Sequence, residues 1–238
     1  AAATPPAASP SPRAAALLPA RAHQCTARGG GLARAVAGEV AHFELCCADA
    51  HGRPLAAVEP RALTATLRPS TAAQGASELQ VVHVTPHPHT DGVTSVGYVA
   101  RLAGLWLLDI ALHSSPVPGS PFHLAIVPAA PAAPSSGAQG GGLSRAERGD
   151  EAAFVVTAHD VYGNRCAAGG ALFQGELTAA EGEAAGARHV ATCEMVDCED
   201  GTYLGLYTLP GDAPTRCLLA VYLEDEPVRG SPFHVMVQ

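Results

Sequence analysis

The sequence predicts an all-β protein made of two tandem immunoglobulin-like β-sandwiches, each with seven short strands. The first observation is a stretch, Gly-Ser-Pro-Phe-His, at 119–123 that returns at 230–234. The second is a set of landmark residues that recur at one spacing along the chain, as expected for a duplicated domain. The third is apolar alternation with a period of two between frequent turns, without convincing helical periodicity, which is typical of a β-sandwich.

The repeated stretch is predicted to begin the last strand of each sandwich. Gly119 and Gly230 stand at turn positions that favour positive φ. Pro121 and Pro232 follow at a strand start, where the missing N–H is tolerated. Apolar residues then alternate with His and other residues. The side chains expected to face the core are Phe122, Leu124 and Ile126 in the first copy, and Phe233, Val235 and Val237 in the second.

The landmark residues keep their order and almost the same spacing in both copies. The pairs 111 residues apart are Gly29–Leu32 with Gly140–Leu143, Phe43 with Phe154, and Asp49 with Asp160. The predicted hairpin turns Asp91-Gly92 and Asp200-Gly201 are 109 residues apart, so the intervening loops differ by two residues. Tyr98 and Tyr207 each follow their Asp by seven residues.

The landmarks and the composition together define the expected domain organisation. We expect an Ala/Pro-rich linker at 1–21, repeat 1 at 22–127, a Pro/Ala/Ser spacer at 128–139 and repeat 2 at 140–238. Strands are predicted at 43–47, 63–67, 79–85 and 106–112, and at 154–158, 172–177, 189–196 and 217–223. The last pair is the most apolar and is expected to be strongly buried.

Composition and charge exclude several classes of function. The formal net charge is −8, and all 14 basic residues are Arg, without a basic stripe, which argues against nucleic acid or anionic lipid as the main partner. No apolar run approaches the ~18 residues of a membrane helix. Because the chain does not begin with Met, we expect it to be a piece of a longer protein.

The seven cysteines predict mostly free thiols. When the second copy is shifted onto the first, no Cys falls on a Cys, whereas a framework disulfide would be expected to repeat with its domain. We therefore expect a reducing compartment. Cys193 and Cys198 form a local disulfide or remain free.

The ordered landmarks resemble the filamin-type immunoglobulin repeat. Repeat 2 has nearly all of that pattern: Gly142-Leu143, Ala152-Ala153-Phe154, Asp160 to Asn164, Gly169-Gly170, Asp200 to Tyr203, Tyr207, and Gly230 to Phe233. Repeat 1 departs from it with Arg53 in the Asn position, no Gly-Gly pair, and Val93-Thr94 for Thr-Tyr. These departures lie in turns and at a strand start, so they bear on binding more than on fold.

The resemblance implies a protein-docking and spacer role. Filamin repeats commonly bind a peptide as an extra strand along the groove between strands C and D, a β-augmentation. The candidate docking residues carried over to this chain are Leu63, Ala65, Leu67, Val81, Val82, Leu177, Thr178, Val190 and Thr192. The alternative is that these are only exposed edge strands, protected from aggregation by Arg68, Glu78 and Arg188.

No pattern in the sequence predicts catalysis, a cofactor or a metal site. The cluster of His83, His87, His89 and Asp91 could suit zinc, but it lies in a Pro-rich turn and has no counterpart in repeat 2. His123 and His234 are expected to be outward-facing surface residues. We find no nucleophile elbow, phosphate loop or zinc-protease motif.

The sequence is consistent with two alternative functions. The first is a non-enzymatic scaffold that docks protein segments and sets spacing in a cytoplasmic, actin-associated cytoskeletal assembly. The second is an ectodomain fragment of a gamete-type cell-surface adhesion protein. In both, the partners are proteins, with neighbouring repeats of the same chain among the candidates.

Overall fold

The computed structural model describes residues 21–49, 51–55, 60–70, 80–81, 85–88, 93–180 and 188–238. Within these ranges the chain is all-β, with short 3-10 turns and no α-helix. It forms two β-sandwiches in series, each with one four-stranded and one six-stranded sheet. The predicted fold class is therefore confirmed.

The first sandwich contains ten strands, several of them only two or three residues long. They are β1 Thr26–Arg28, β2 Arg34–Val36, β3 Val40–Cys46, β4 Leu63–Pro69, β5 Gln80–Val81, β6 Thr85–Pro88, β7 Val93–Val99, β8 Gly104–Leu112, β9 Ser115–Pro116 and β10 Phe122–Val127. One sheet has the order β1-β3-β7-β6, and the other β2-β10-β8-β4-β5, with β9 paired to β8.

The second sandwich repeats this topology strand for strand. Its strands are β11 Gly137–Gln139, β12 Arg145–Ala146, β13 Glu151–Thr157, β14 Phe173–Ala179, β15 His189–Thr192, β16 Glu194–Asp197, β17 Thr202–Thr208, β18 Arg216–Leu223, β19 Glu226–Pro227 and β20 Phe233–Val237. The sheet orders are β11-β13-β17-β16 and β12-β20-β18-β14-β15. In each sandwich, the second strand (β2 or β12) pairs in parallel with the last strand (β10 or β20). The other pairings between these strands are antiparallel.

The predicted alternation places the core between the two sheets. In β8 every second side chain is buried, including Trp106, Leu108 and Ile110, and β18 repeats this with Cys217, Leu219 and Val221. Burial of these apolar side chains supplies the main favourable term in folding.

A buried tyrosine ties the glycine-containing 3-10 turn of each sandwich, Gly30–Leu32 or Gly141–Leu143, to the sheet. The hydroxyl of Tyr98 donates to the carbonyl of Gly31, and that of Tyr207 donates to the carbonyl of Gly142. At Gly142 a methyl group would lie 2.6 Å from the carbonyl oxygen of Ala153, so only glycine lets this turn approach strand β13. Burial raises the pKa of Tyr207 to about 12, which keeps the hydroxyl protonated as a donor.

The repeated Gly-Ser-Pro-Phe stretch has a structural reason at each position. Gly119 and Gly230 have φ of 89° and 88°, as predicted for the turn. The hydroxyl of Ser231 accepts the amide of Val221 at 2.9 Å, and Ser120 does the same for the first sandwich at 2.8 Å. The Ser–Pro peptide bonds in both copies are cis.

The phenylalanines of this stretch are less buried than predicted. Phe122 and Phe233 are half-buried and pack against the edge of their clusters, whereas Leu124, Ile126, Val235 and Val237 are fully buried. Each ring lies close to the turn glycine three residues earlier, where a methyl group would be 3.1 Å from the Phe122 ring or 3.3 Å from the Phe233 ring. The apolar alternation predicted correctly which side of the strand faces the core, but it overestimated the burial of the first residue.

The single strands predicted at 79–85 and 189–196 are wrong in one respect. In the second sandwich the chain pairs with β14 as far as Thr192, and from Glu194 it pairs with β17 of the other sheet. Cys193 makes the crossing and is buried. The first sandwich likewise has β5 in one sheet and β6 in the other.

The end of the predicted spacer is integrated into the second sandwich. Gly137–Gln139 forms β11, which pairs with β13. Just before it, Ser136 is fully buried, and Ala132 donates its amide to the carbonyl of His159 at 2.8 Å. The composition of 128–139 resembled that of the linker at 1–21, but backbone pairing to a distant strand does not depend on composition.

One disulfide contradicts the free-thiol expectation for repeat 1. Cys25 is bonded to Cys47, with 22 residues of sequence separation. The two are brought together because β1 pairs with β3, in the register Thr26 to Cys46. In repeat 2 the equivalent positions are Ser136 and Ala158, where the Ser136 hydroxyl donates to the carbonyl of Ala132 at 2.9 Å. Among the other cysteines, the free thiols are Cys46, Cys166, Cys193 and Cys198.

Some expectations lie outside the described residues. They are the linker at 1–20, Val82, Glu78, the Asp91-Gly92 turn, and the histidines at 83 and 89. In the second repeat the Asp200-Gly201 turn is described, and Gly201 has φ of 80°.

Removing the tyrosine hydroxyl tests the bond between turn and sheet. Tyr207→Phe leaves the buried Gly142 carbonyl without its donor, so the free energy of unfolding of the second sandwich should fall by roughly 1–3 kcal/mol. Calorimetry of the intact chain should show the second-sandwich transition shifted down and the first unchanged. Leu206→Ala, at a half-exposed neighbouring position, is the control; an unchanged transition in Tyr207→Phe would contradict the assignment.

Exchanging the disulfide residues for those of repeat 2 tests the contribution of the cross-link. Cys25→Ser with Cys47→Ala should destabilise the first sandwich by roughly 3 kcal/mol, because the loop in the unfolded chain is no longer closed. Thermal unfolding with and without reductant measures the effect. Reductant should lower the melting temperature of the native chain and leave the double variant unaffected; equal responses would show that the bond does not form.

Candidate docking edge and interface between the sandwiches

The six-stranded sheet of the second sandwich ends in a short outer strand. Strand β15 pairs with the second half of β14, in the register Glu176 to Thr192 and Leu177 to Ala191. The amide of Cys193 donates to the carbonyl of Gly175 at 2.8 Å. Because successive backbone groups of a strand point to opposite sides, Thr192 directs its N–H and C=O groups outward, away from β14. Val190 is the extra residue of a β-bulge and has no partner residue in β14. Within the described residues, this is an unpaired main-chain edge.

The structure places the predicted docking residues in two kinds of position. Four have side chains in the core and support the sheet: Leu63, Ala65, Leu67 and Leu177. Thr178 is half-buried beside β15, Val190 is half-buried on it, and Thr192 is exposed. Val81 pairs with Thr66 at the corresponding edge of the first sandwich. Of the strands that carry these residues, β5 and β15 lie at sheet edges, whereas β4 and β14 are internal and most residues chosen on them face the core. The docking role of these residues stays a prediction.

A groove lies where β15 has ended and the start of β14 has no strand beside it. It encloses about 540 Å³. Phe173, Cys193 and Met195 form an apolar floor, and Glu176, Glu224 and Asp225 stand around it. Burial raises the pKa of Cys193 to about 12, so its thiol is uncharged at neutral pH and serves as apolar surface. This groove was missed because 189–196 was predicted as one continuous strand.

The turn after β13 contacts the first sandwich through Asn164. Its side-chain oxygen accepts the amide of Ala103 at 2.9 Å, and its side-chain nitrogen donates to the carbonyl of Arg101 at 2.8 Å. The guanidinium of Arg101 lies 5.7 Å from the ring centroid of Tyr162, a cation–π distance. A methyl group at Gly38 would clash with the same ring. These contacts join the two sandwiches directly.

Asp160 organises this turn from a buried position. One carboxylate oxygen accepts the amides of Tyr162 and Asn164, each at 2.9 Å. The other accepts the amide of Ala129 in the spacer at 3.0 Å and the Asn164 side chain at 2.7 Å. Burial alone would raise the pKa of Asp160, but these donors outweigh it and lower the pKa below its ordinary value. The carboxylate is therefore charged at neutral pH and holds turn, spacer and Asn164 together.

The equivalent turn of the first repeat keeps the carboxylate, as Asp49, but has no counterpart of the Asn164 side chain. Asp49 accepts the amides of Arg53 and His51, at 3.0 and 2.7 Å, and these bonds lower its pKa. Arg53 occupies the position of Asn164 and is exposed. The turn geometry is therefore common to both repeats, whereas the bridge to a neighbouring sandwich depends on Asn164.

The described residues offer no centre for metal chemistry. No three side chains of His, Cys, Asp and Glu come together there as possible ligands. Of the predicted histidine cluster only His87 falls in the described part of the chain. In the same ranges, no helix has the length and apolar character required to cross a membrane.

Comparison with protein families identifies both sandwiches. The family described as Filamin/ABP280 repeat matches residues 19–123 and again residues 130–234. Tripartite motif-containing protein 2 from Bos taurus and from Homo sapiens is 33% identical over 100 residues. This match covers 42% of the present chain and 12% of the relative. The chain therefore corresponds to a small part of these relatives.

Solved structures with the same overall arrangement are distant in sequence. The Escherichia coli adhesin FdeC superposes with a TM-score of 0.53 and 17% identity, covering 92% of this chain and 64% of that one. Invasin, a bacterial integrin-binding protein, gives a TM-score of 0.51 and 9% identity, covering 92% and 41%. At these identities the likeness extends to the fold of two consecutive sandwiches.

Removing the Asn164 side chain tests whether it couples the sandwiches. Asn164→Ala loses the bonds to Arg101 and Ala103, worth about 0.5–1.5 kcal/mol each, while both cores stay intact. In the native chain, residual dipolar couplings of the two sandwiches should fit one alignment tensor, and in the variant they should require two. Arg53→Ala, at the equivalent position of the first repeat, is the control. A single tensor in Asn164→Ala would contradict the coupling role.

Proposed function

Because the chain belongs to the Filamin/ABP280 repeat family, we propose that it is a non-enzymatic docking and spacing module within a longer protein. In this proposal, partner segments add as an extra strand to the open edge of the second sandwich. The interface at Asn164 holds the two sandwiches in a fixed relation, so that docked partners are presented at a defined separation.

The unpaired edge of β15 is the observation that carries the docking proposal. The outward main-chain groups of Thr192, and those of Val190 at the bulge, offer hydrogen bonds to an extended peptide, and alternate side chains of that peptide would supply specificity. Main-chain recognition of this kind accepts many sequences, which suits a scaffold. The short length of β15 and the exposed Arg188 beside it also limit unwanted sheet-to-sheet pairing.

Proline substitution distinguishes amides without and with a partner residue in β14 and tests the docking edge. Val190→Pro removes an amide that would serve a ligand, and proline is tolerated at a bulge in an edge strand. Twelve-residue peptides selected from a random library on the intact chain should bind Val190→Pro about five- to tenfold more weakly, with little change in melting temperature. Fluorescence anisotropy measures the affinity.

The matched control is the neighbouring residue. Ala191 faces β14 in the pairing with Leu177, so Ala191→Pro should lower the melting temperature of the second sandwich. Unchanged peptide affinity in Val190→Pro, with the fold retained, would exclude docking at this edge.

The spacing part of the proposal treats the repeats as two folding units with a tight connection. We place the first unit at 22–127 and the second at 140–238 together with the preceding strand β11, Gly137–Gln139. The bonds from Asp160 to Ala129 and from Asn164 to Arg101 support a restricted geometry. Separate expression of 22–127 and 130–238 tests the division: both should fold, and failure of either alone would contradict it.

The first candidate for the location is a cytoplasmic, actin-associated assembly. The free thiols of Cys46, Cys166, Cys193 and Cys198 suit a reducing compartment. The second candidate is an ectodomain of a cell-surface adhesion protein, and one observation favours it. The Cys25–Cys47 disulfide is of the kind that persists in oxidising surroundings.

Differential alkylation in intact cells separates these two locations. Thiols are blocked before lysis, disulfides are then reduced, and the newly exposed thiols receive a second label. Second label on Cys25 and Cys47 supports the ectodomain, whereas first label on both supports the cytoplasmic assembly.

A further inference from the structure

We propose that the groove at the start of β14 in the second sandwich docks an extended peptide rich in Arg or Lys. This inference rests on the proposed docking function and names the chemistry of the partner at one site. The groove is defined here by Phe173, Glu176, Cys193, Met195, Glu224 and Asp225.

The main chain of the groove is open for pairing. β14 begins at Phe173, but β15 covers it only from Glu176 onward. The last backbone bond between them is the Cys193 amide to the Gly175 carbonyl. By alternation, the carbonyl of Phe173 and the amide of Gly175 face the open side. A peptide bound here would pair with the start of β14, next to the part of β14 that β15 already covers.

The floor of the groove suits the aliphatic part of a long side chain. Phe173 is buried and packs on Tyr203 with ring centroids 4.6 Å apart. Cys193 is buried and Met195 is half-buried beside it. Arg and Lys pack their methylene stems on apolar surface of this kind while their charged ends reach polar surroundings.

The rim of the groove carries three carboxylates and no cation. Glu176, Glu224 and Asp225 are exposed, and the lining includes no Arg, Lys or His. The ion pairs of the described chain use other acidic residues: Glu44, Asp109, Asp200 and Asp212. Arg34 lines an adjacent cavity with Glu224 and Asp225 but, among the described residues, forms no ion pair with either. The rim carboxylates are therefore free of ion pairs there and favour a cationic partner.

The first sandwich shows that the fold does not require these charges. Leu63 pairs with Leu112 as Phe173 pairs with Leu223, which fixes the equivalence of the two strands. The positions of Glu176, Glu224 and Asp225 are then taken by Thr66, His113 and Ser114. His113 and Glu224 have φ of 48° and 55°, so the turns also share their backbone at that position. At the next position the turns differ in backbone as well as in charge, because Ser114 has φ of 64° and Asp225 lies outside the left-handed region.

Three fluorescein-labelled eight-residue peptides test the charge preference on the intact chain. They alternate Val with Arg, with Thr or with Glu. The Arg peptide should bind about tenfold more tightly than the Thr peptide in 50 mM NaCl, and this advantage should shrink in 300 mM NaCl. The Glu peptide should bind most weakly.

The rim variant replaces each acidic residue with the residue at the equivalent position of the first sandwich. Glu176→Thr, Glu224→His and Asp225→Ser together should remove the advantage of the Arg peptide and leave the Thr peptide unchanged. The control variant Glu147→His, Asp150→Ser and Glu151→Thr makes the same charge change at the opposite end of the sandwich and should keep the advantage. Circular dichroism and melting temperature verify that both variants fold.

The outcomes separate this inference from the docking proposal. If the Thr and Arg peptides bind equally, and Val190→Pro weakens both, then docking stands and the basic preference is overturned. If the control variant loses the advantage as the rim variant does, the attraction belongs to the net charge of the protein and the site is overturned. If none of the peptides binds, both the docking proposal and this inference fail.

Discussion

The hydrogen bond from a buried tyrosine to a glycine carbonyl determines how each sandwich closes. Tyr207 reaches from β17 across the interior to Gly142 in the turn after β11, and Tyr98 does the same for Gly31. The turn can sit there only because glycine lets it touch the backbone of the adjacent strand. Once the turn is fixed, the following short strand is directed to the opposite sheet, where it pairs in parallel with the last strand. The connection between the two sheets depends on this contact.

Duplication preserved this framework and changed the residues attached to it. The site that holds a disulfide in the first sandwich, Cys25 with Cys47, holds Ser136 and Ala158 in the second. In both, the N-terminal segment is anchored just after the first long strand, β3 or β13, once by a covalent bond and once by hydrogen bonds such as that from the amide of His159 to the hydroxyl of Ser136. Both repeats therefore anchor this segment, but the type of bond that anchors it differs between them.

The proposed docking and spacing roles involve different parts of the second sandwich. The edge at Val190 and the groove at Phe173 lie along the side of one sheet, whereas Asn164 stands on a turn that meets the first sandwich. Glu224 and Asp225 also line a cavity with Arg34 of the first sandwich, so the acidic rim lies beside the interface. In this proposal, both roles reside in sites added to a common framework.

The sequence by itself determined the fold class, the duplication and the face of nearly every strand. Alternation in β8 and positive φ at Gly119 are properties of near neighbours, so a local pattern is sufficient to predict them. Only the tertiary structure decided which distant residues meet. The Cys25–Cys47 bond, the crossing at Cys193 and the contact of Asn164 with Arg101 join residues through strand pairing and packing. Such contacts depend on the register of the sheets and the placement of whole elements, which no local periodicity contains.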